Sequence, residues 1–189
     1  MVREQHFAAE KRRIGLAAAD LIQPNETVGI TAGATTTYIG RALRHRDQIQ
    51  VITNAINIGM ELCNLPGIRT CLTGGAVTQA WSFSLTGNAA IEFLEDVHLD
   101  RVFVSVTRID AARGATTLEA EEALFYRKMV DQAKQVVAVA DSSKLGKPRD
   151  VVNEFNVSVG GPIRKDKLFF LPTMRVFVSP CRSSRQRPC

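Results

Sequence analysis

The sequence predicts an α/β protein of three layers, in which a mostly parallel β-sheet is covered by helices on both faces. Five short apolar segments alternate with five segments of helical period, and Gly or Pro residues stand at several of the junctions. The length of 189 residues suits one domain of ordinary size. Strands that alternate with helices form βα units, and these units build parallel sheets with two buried faces.

The elements follow one another along the chain. The first helix, over residues 8–23, places Ile14 and Leu21 on one face, and Pro24 ends it. We expect Asn54 to cap the third helix and Pro66 to stop it. The strands are predicted over residues 28–31, 49–53, 69–73, 101–106 and 136–140. The other helices are predicted over residues 34–43, 54–65, 88–95 and 118–134.

The last part of the chain has a different pattern. A further strand is predicted over residues 151–155, and edge strands over residues 168–171 and 175–178. We divide the chain into residues 1–13, a linker and the start of the first helix, residues 14–160, an α/β domain, and residues 161–189, a divergent basic tail.

The charge of the chain is concentrated in that tail. The net charge is +5, but residues 163–189 alone hold seven basic residues and one acid, so the remainder is close to neutral. A solvated tail is the favoured interpretation, since no aromatic interleaving or helix-turn-helix pattern accompanies it. No apolar stretch approaches the roughly 20 residues of a membrane span, and the first residues lack a secretory signal. We therefore expect a cytoplasmic protein with no membrane partner.

The four cysteines do not indicate a metal site. They occur singly, without a C-x-x-C spacing or a nearby histidine, and two lie in apolar surroundings. We expect reduced, structural thiols, no bound metal and no cofactor. The cysteines are Cys63, Cys71, Cys181 and Cys189.

Polar residues follow every predicted strand. Because ligands bind beyond the carboxyl ends of the strands in an open parallel sheet, these residues are the candidates for binding. They combine hydroxyls, glycines, an amide, carboxylates and cations, which suits a phosphorylated, polyhydroxylated small molecule. The candidate ligand-binding residues are Thr31, Gly33, Ala34, Thr35, Thr36, Thr53, Asn54, Gly74, Gly75, Thr107, Arg108, Glu122 and Lys144. No catalytic residue is assigned.

The loop at Gly33 is the most specific indication of a binding site among these features. A glycine at a strand-to-helix turn lets backbone N–H groups converge on an anion, and the helix dipole favours negative charge there. Thr35 and Thr36 would add hydroxyl donors. The loop has neither the G-x-G-x-x-G nor the P-loop pattern, so dinucleotides and nucleoside triphosphates are not indicated. The alternative is a tight turn with threonines as helix caps.

The other candidates have structural alternatives as well. Gly74 and Gly75 could serve only the geometry of a turn. Glu122 lies in the first turn of a predicted helix, where an acid complements the helix dipole. Lys144 differs from these residues, because it could reach a phosphate or a carboxylate as a point charge.

Together the motifs resemble, in order and spacing, the C-terminal effector-sensing domain of DeoR-family transcriptional repressors, over about residues 10–147. The ordered motifs are Glu10-Lys11-Arg12-Arg13, Ala32-Gly33-Ala34-Thr35-Thr36, Val51-Ile52-Thr53-Asn54, Leu72-Thr73-Gly74-Gly75, Ser84-Leu85-Thr86-Gly87, Thr116-Thr117 with Glu121-Glu122-Ala123, and Ala140-Asp141-Ser142-Ser143-Lys144-Leu145-Gly146. The resemblance implies a fold related to ribose-5-phosphate isomerase, glucosamine-phosphate deaminase and CoA transferase. It also implies binding of a phosphorylated sugar or a related anionic metabolite that alters DNA affinity through an oligomer. We expect a homo-oligomer, a dimer or a tetramer, since a sensor must couple its pocket to a partner surface.

The resemblance also implies roles for particular residues. The loop at residues 33–36 would hold phosphate, Asn54 with Gly74 and Gly75 would line the pocket, and Glu122 and Lys144 would complete it. The family's helix-turn-helix domain normally precedes such a segment. We therefore expect a sensor fragment that reaches DNA only through an N-terminal domain absent from this chain.

Two positions depart from the family's pattern inside the expected pocket. Thr31 stands near the position where the family usually has Asp, and the run from Ser105 to Arg108 stands where it often has Gly-Ala-Asp-Gly. The first change removes a carboxylate that would bind sugar hydroxyls, and Arg108 adds a cation. These departures favour a more acidic effector.

The leading hypothesis is a ligand-sensing domain without catalysis. The alternative is an aldose–ketose phosphate isomerase or a deaminase, which needs a carboxylate base and an electrophilic partner. Asp110, Glu119 or Glu122 could act with Lys144 in that case. A pure interaction module is the third possibility.

Overall fold

The elements of the fold are seen in a computed structural model that describes residues 7–77, 83–110, 114–146, 153–154, 169–170 and 174–179. The helices are α1 (Ala8–Ala19), α2 (Ala34–Ala42), α3 (Ile56–Leu62), α4 (Asn88–Phe93) and α5 (Ala120–Asp131), with 3-10 turns at Leu43–His45 and Ser142–Lys144. The strands are β1 (Thr27–Ile30), β2 (Ile49–Thr53), β3 (Ile68–Leu72), β4 (Ala76–Val77), β5 (Leu85–Thr86), β6 (Leu99–Ser105), β7 (Arg108–Asp110), β8 (Gly114–Thr117), β9 (Ala133–Asp141), β10 (Asn153–Glu154), β11 (Phe169–Phe170) and β12 (Met174–Ser179).

A seven-stranded sheet forms the centre of the fold. Its order is β11-β12-β9-β6-β1-β2-β3, and every neighbouring pair is parallel except β11 with β12. All five strands predicted before residue 150 take part in it, so the mostly parallel α/β class is confirmed.

Alternation along the central strands explains why helices cover both faces. In β6, Val102 and Val104 pack with Phe125 of α5 in one core cluster, whereas Phe103 packs with Ile14 of α1 in the other. A strand turns successive side chains to opposite faces, so a run of apolar residues needs a partner layer on each side. The predicted three layers are therefore confirmed.

Two small sheets, which the sequence did not predict, lie outside the central one. β7 and β8 form an antiparallel pair that β10 extends, and β4 pairs with β5. β7 begins three residues after β6 ends, and the Thr107 N–H donates to the Thr116 carbonyl at 2.7 Å. The first small sheet therefore stands directly beyond the carboxyl end of β6.

Several predicted boundaries move. The first helix ends at Ala19 rather than at residue 23, and the long helix runs from Ala120 to Asp131 rather than over residues 118–134. β9 starts at Ala133, before the predicted residue 136, because it pairs with β6 from Leu99 onward. Pairing with a neighbour, rather than local composition, fixes where this strand begins.

The segments after residue 150 also pair. The strand predicted over residues 151–155 is present at residues 153–154, where it pairs with β8 instead of joining the central sheet. The two predicted edge strands form β11 and β12. β11 lies at the edge, whereas the prediction for residues 175–178 is wrong in this respect, because β12 pairs with β11 on one side and runs parallel to β9 along six residues on the other. The division of the chain at residues 13 and 160 stays a prediction. Among the described residues, none of the helices has the length and apolar character that crossing a bilayer requires.

Replacing Phe103 tests the sheet core. Its side chain is fully buried, so Phe103→Ala should lower the free energy of unfolding by about 3–5 kcal/mol through lost burial and the cavity left behind. Urea unfolding followed by circular dichroism measures this. Phe93→Ala, at a position that is 39% exposed, is the matched control and should cost far less. Equal losses in both variants would contradict the assignment of Phe103 to the core.

Candidate functional site

The carboxyl ends of β1 and β6 meet at the centre of the candidate site. The Ser105 N–H at the end of β6 donates to the Thr31 hydroxyl after β1 at 2.9 Å. A Cβ atom built on Gly33 would lie 2.1 Å from the Ser105 hydroxyl oxygen. The backbone at Gly33 is extended, with φ of 160°, so its conformation does not require glycine. Glycine is required here by the close approach of the β1 loop to Ser105.

The first turn of α2 follows this loop. The hydroxyls of Thr36 and Thr37 donate to the Gly33 carbonyl at 3.0 and 2.8 Å. Within the part of the chain that the structure describes, no side chain caps the helix, and the hydroxyl of Thr35 has no hydrogen-bond partner although the residue is only 6% exposed. The threonines therefore do not act as helix caps, which was the alternative interpretation of this turn, and this helix end keeps unused donors.

The amide of Asn54 joins three segments beside this turn. Its Oδ1 accepts from the Ala32 N–H at 2.8 Å, and its Nδ2 donates to the Ser84 hydroxyl at 2.9 Å and to the Leu85 carbonyl at 3.0 Å. Asn54 is fully buried. The expectation that it caps α3 is wrong, since Ala55 holds the cap position and the Asn54 side chain is used in these long-range bonds instead.

The other buried polar side chains near Asn54 are also used within the protein. The Thr53 hydroxyl donates to the Ile30 carbonyl at 2.6 Å and accepts from the Ala55 N–H at 3.0 Å. Thr31 is fully buried, and its hydroxyl is hydrogen-bonded to Tyr126 as well as to Ser105. These three residues, Thr31, Thr53 and Asn54, thus hold the loops in position.

Glu122 closes the site from α5. Its Oε2 accepts from the Thr117 hydroxyl at 2.8 Å, and the Ser84 hydroxyl donates to the same carboxylate. Burial raises the pKa of Glu122 above its ordinary value of 4.5, and the two hydroxyls offset part of this rise. Glu122 is therefore linked through Ser84 to the amide of Asn54.

One turn further along α5, Tyr126 supports the β1 loop. Its phenol donates to the Ala32 carbonyl at 2.9 Å. Burial, followed by the nearby charge of Glu122, raises the pKa of Tyr126 well above its ordinary value, so the phenol keeps its proton. Ala32 is thus held through its N–H by Asn54 and through its carbonyl by Tyr126.

A second group of candidates lies at the end of β9. Arg108, at the start of β7, donates through Nη1 to the Ser143 carbonyl in the turn that contains Lys144. Asp141 caps this turn by accepting from the Ser143 N–H at 3.0 Å. Lys144 and Arg108 are both half-buried. The structure therefore places two cations on this side of the site.

The paired glycines after β3 meet the requirements of a turn. Gly74 and Gly75 have φ values of 72° and 109°, which favour glycine. A Cβ on Gly75 would lie 2.4 Å from the Thr86 carbonyl oxygen, so this glycine also permits a close backbone approach within the protein. Gly74 is exposed, and no atom lies within 4 Å of a Cβ built on it.

Most of the sequence-predicted residues thus fall into two groups joined by the end of β6. The β1 loop, Thr53, Asn54 and Glu122 belong to one bonded network, and Arg108 and Lys144 lie toward β9. Thr107 lies between β6 and β7, bonded to β8, and Gly74 and Gly75 stand apart after β3. The sequence reasoning did not single out Ser84, Ser105, Thr117 or Tyr126 as site residues. Ser84 and Thr117 stand within the motifs quoted above, and Ser105 begins the run that departs from the family's pattern. Tyr126 is revealed only by its contacts.

Outside this site, the described residues form a depression at the opposite edge of the sheet and no cluster of metal ligands. The described residues contain no group of three or more His, Cys, Asp or Glu side chains that could hold a metal ion. A shallow depression of about 440 Å³ lies between the amino ends of β1, β2 and β3, at the edge of the sheet opposite the candidate site.

Comparisons with known proteins agree with the resemblance seen in the sequence. The family model described as the DeoR C terminal sensor domain matches residues 6–158. The putative aga operon transcriptional repressor of Escherichia coli O157:H7 is 34% identical over 139 residues, which cover 74% of this chain and 51% of that protein. The HTH-type transcriptional repressor GlcR of Bacillus subtilis is 39% identical over 137 residues, covering 72% and 52%. The chain thus spans about half the length of these relatives.

Solved structures share the fold at low sequence identity. Ribose 5-phosphate isomerase A from Neisseria gonorrhoeae has a TM-score of 0.53 and 17% identity, and the match covers 74% of this chain and 54% of that one. The tetrameric eIF2B β2–δ2 complex from Chaetomium thermophilum has a TM-score of 0.52 and 14% identity, covering 73% and 45%. At these identities the comparison bears on fold alone.

Truncating Asn54 tests the network. Asn54→Ala removes three hydrogen bonds and leaves buried backbone groups unpaired, so the free energy of unfolding should fall by about 2–4 kcal/mol. Denaturant unfolding measures the loss. Asn57→Ala is the control, since the half-buried Asn57 amide makes one bond, to Thr37 at 2.8 Å, and should cost about 1 kcal/mol or less. A smaller loss at Asn54 than at Asn57 would contradict the role of the network.

Removing the charge of Glu122 tests whether burial raises the pKa of its carboxyl. A carboxyl whose pKa is raised by folding favours the folded state when it is protonated, and this contribution is lost as the pH rises through the raised pKa. The stability of Glu122→Gln relative to the unsubstituted chain should therefore increase as the pH rises above about 4.5. Unfolding curves recorded between acid and neutral pH measure this. Glu92→Gln, at an exposed position, controls for net charge, and an identical pH profile in the two variants would refute the assignment.

Proposed function

Because the chain belongs to the family of DeoR C-terminal sensor domains, we propose that it is the effector-sensing part of a DeoR-type transcriptional repressor. A phosphorylated sugar or a related anionic metabolite binds at the carboxyl edge of the sheet. Binding changes the affinity for DNA of a helix-turn-helix domain in the full-length protein. The observation that carries the proposal is the uncapped amino end of α2, where the hydroxyl of Thr35, a residue only 6% exposed, has no partner among the described residues.

The amino end of α2 provides what a phosphate group needs. The first N–H groups of a helix have no partner within the helix, and its dipole favours an anion at this end. Thr36 and Thr37 bind the Gly33 carbonyl, which fixes the loop, whereas Thr35 keeps its hydroxyl for a ligand. Gly33 and Ala34 present little side chain in front of the turn, so a phosphate can approach the backbone.

The remaining residues suit the rest of a sugar. The Glu122 carboxylate can accept from sugar hydroxyls, because the bonds from Thr117 and Ser84 leave it with free acceptor sites. Lys144 lies in the turn after β9, Thr107 follows β6, and Gly74 leaves open space at the end of β3. Thr31, Thr53 and Asn54 act as positioning residues, since their polar atoms are used within the protein.

We further propose that the effector is bound and not converted. The named relatives of this chain are transcriptional regulators. Proton transfer beside a carbonyl requires a base and an electrophilic partner, and the groups bonded to the Glu122 carboxylate are neutral hydroxyls. Turnover of a sugar phosphate by the purified chain, lost in Glu122→Gln, would contradict this part of the proposal.

A homo-oligomer would transmit the signal. Sensing requires that the pocket be coupled to a second surface, and a neighbouring subunit provides one. The edge of the sheet at β3 supports this, since β3 is the last strand described there. Met60 on α3 and Leu72 at the end of β3 are 72% and 44% exposed. Two or four copies of the chain are proposed.

Ligand-dependent thermal denaturation tests the phosphate site. Ribose 5-phosphate, glucose 6-phosphate, 6-phosphogluconate and inorganic phosphate are compared with the corresponding unphosphorylated sugars and gluconate. At a hundredfold excess over its dissociation constant, a ligand that binds only the folded state adds about 2.7 kcal/mol of stability. Only the phosphorylated compounds should raise Tm.

Two variants distinguish an effect on the loop at residues 33–36, here called the phosphate loop, from general damage to the fold. Gly33→Ala should abolish the shift, because its Cβ collides with Ser105, and Gly33→Ala with Ser105→Gly should restore it by removing the colliding atoms. The Ser105 N–H that bonds Thr31 remains in the double variant. The absence of a shift with every phosphorylated compound, or an unchanged shift in Gly33→Ala, would overturn the proposed site.

A further inference from the structure

Arg108 is a cation at the edge of the candidate site with most of its donors unused. The only hydrogen bond of its guanidinium with the described residues is the one from Nη1 to the Ser143 carbonyl, and no described carboxylate pairs with it. A guanidinium has five N–H donors in a planar fork. Arg108 therefore keeps the capacity to bind a carboxylate through two parallel hydrogen bonds.

The single bond to Ser143 does not account for an arginine at this position. The turn that contains Ser143 is already capped by Asp141, which accepts from the Ser143 N–H at 3.0 Å. A carbonyl also takes only one of the guanidinium's donors. The residue is half-buried while its bond to Ser143 is exposed, so the guanidinium is anchored at one donor and its other donors are accessible to a ligand. Arg108 is therefore placed to bind an anion.

The strand order sets the spacing between the two strand ends that carry the phosphate loop and the residue bonded to Arg108. β1 pairs with β6, and β6 pairs with β9, so the ends of β1 and β9 are two strand spacings, or about 10 Å, apart. The phosphate loop follows β1, and the Arg108 guanidinium reaches the residues that follow β9. A ligand that spans this distance has a chain of about four to six carbons.

We propose that Arg108 binds a carboxylate at the end of the effector opposite its phosphate, so that the effector is a phosphorylated sugar acid. This inference rests on the proposed function, since it needs the phosphate at the amino end of α2. Arg108 is then a specificity-determining residue that favours an acid over the aldehyde or hemiacetal of the same chain length. Glu122, on the side of the site formed by α5, accepts from the hydroxyls between the two charged ends.

Matched ligand pairs test the inference on the full chain. Each pair shares a phosphate and a carbon skeleton and differs at the terminal carbon: 4-phosphoerythronate with erythrose 4-phosphate, 5-phosphoribonate with ribose 5-phosphate, and 6-phosphogluconate with glucose 6-phosphate. Isothermal titration calorimetry should show that the acid of at least one pair binds about tenfold more tightly than the sugar. In Arg108→Gln this preference should disappear while the sugar phosphate keeps its affinity.

Three further measurements complete the design. Arg108→Lys keeps the charge but loses the planar fork, so it should retain part of the preference. Arg44→Gln, at an exposed position on the 3-10 turn after α2, is the control and should leave both affinities unchanged. Circular dichroism confirms that each variant is folded.

The outcomes separate the two proposals. Equal binding of acid and sugar in every pair, or an equal loss of both in Arg108→Gln, overturns the inference and leaves the phosphate site standing. Failure of every phosphorylated compound to bind overturns both proposals.

Discussion

The buried amide of Asn54 is the interaction on which the arrangement of the site depends. It lies at the carboxyl end of β2 and ties the loop after β1 to the segment that leads into β5, through bonds to residues 22, 30 and 31 positions away in sequence. A buried amide with its donors and acceptor paired is stable, whereas one lost bond leaves a costly unpaired group. The loop that precedes α2 is thus held in a single conformation.

This arrangement divides the polar residues of the carboxyl edge by task. The side chains of Thr31, Thr53 and Asn54 are fully buried and bonded to other parts of the protein. Thr35 and Arg108 keep unused donors among the described residues. The side chains of the first group hold the loops in position, and those of the second group are suited to binding a ligand. Preorganisation of this kind lowers the entropic cost of binding, since the donors are already ordered.

The charged and ionisable side chains of the site are also divided between two sides. Glu122 and Tyr126 lie on the α5 side, where burial raises the pKa of each and the hydrogen-bond partners are neutral hydroxyls and a backbone carbonyl. The cations Arg108 and Lys144 lie on the β9 side. This chain shares its fold with ribose 5-phosphate isomerase, whereas its named relatives are repressors. One fold can serve both, because the fold provides a position for a site and the side chains at that position determine its chemistry.

The sequence by itself determined the α/β class, the central strands and the edge at which polar residues gather, because alternating apolar segments and strand-end residues are local patterns. It also indicated the family, through the order of its motifs. Only the tertiary structure decided that Asn54 holds loops instead of capping α3, that Ser105 is what requires glycine at position 33, and that β12 joins the sheet beside β9. These features depend on contacts between residues distant in sequence, and such contacts exist only after the strands have taken their order in the sheet.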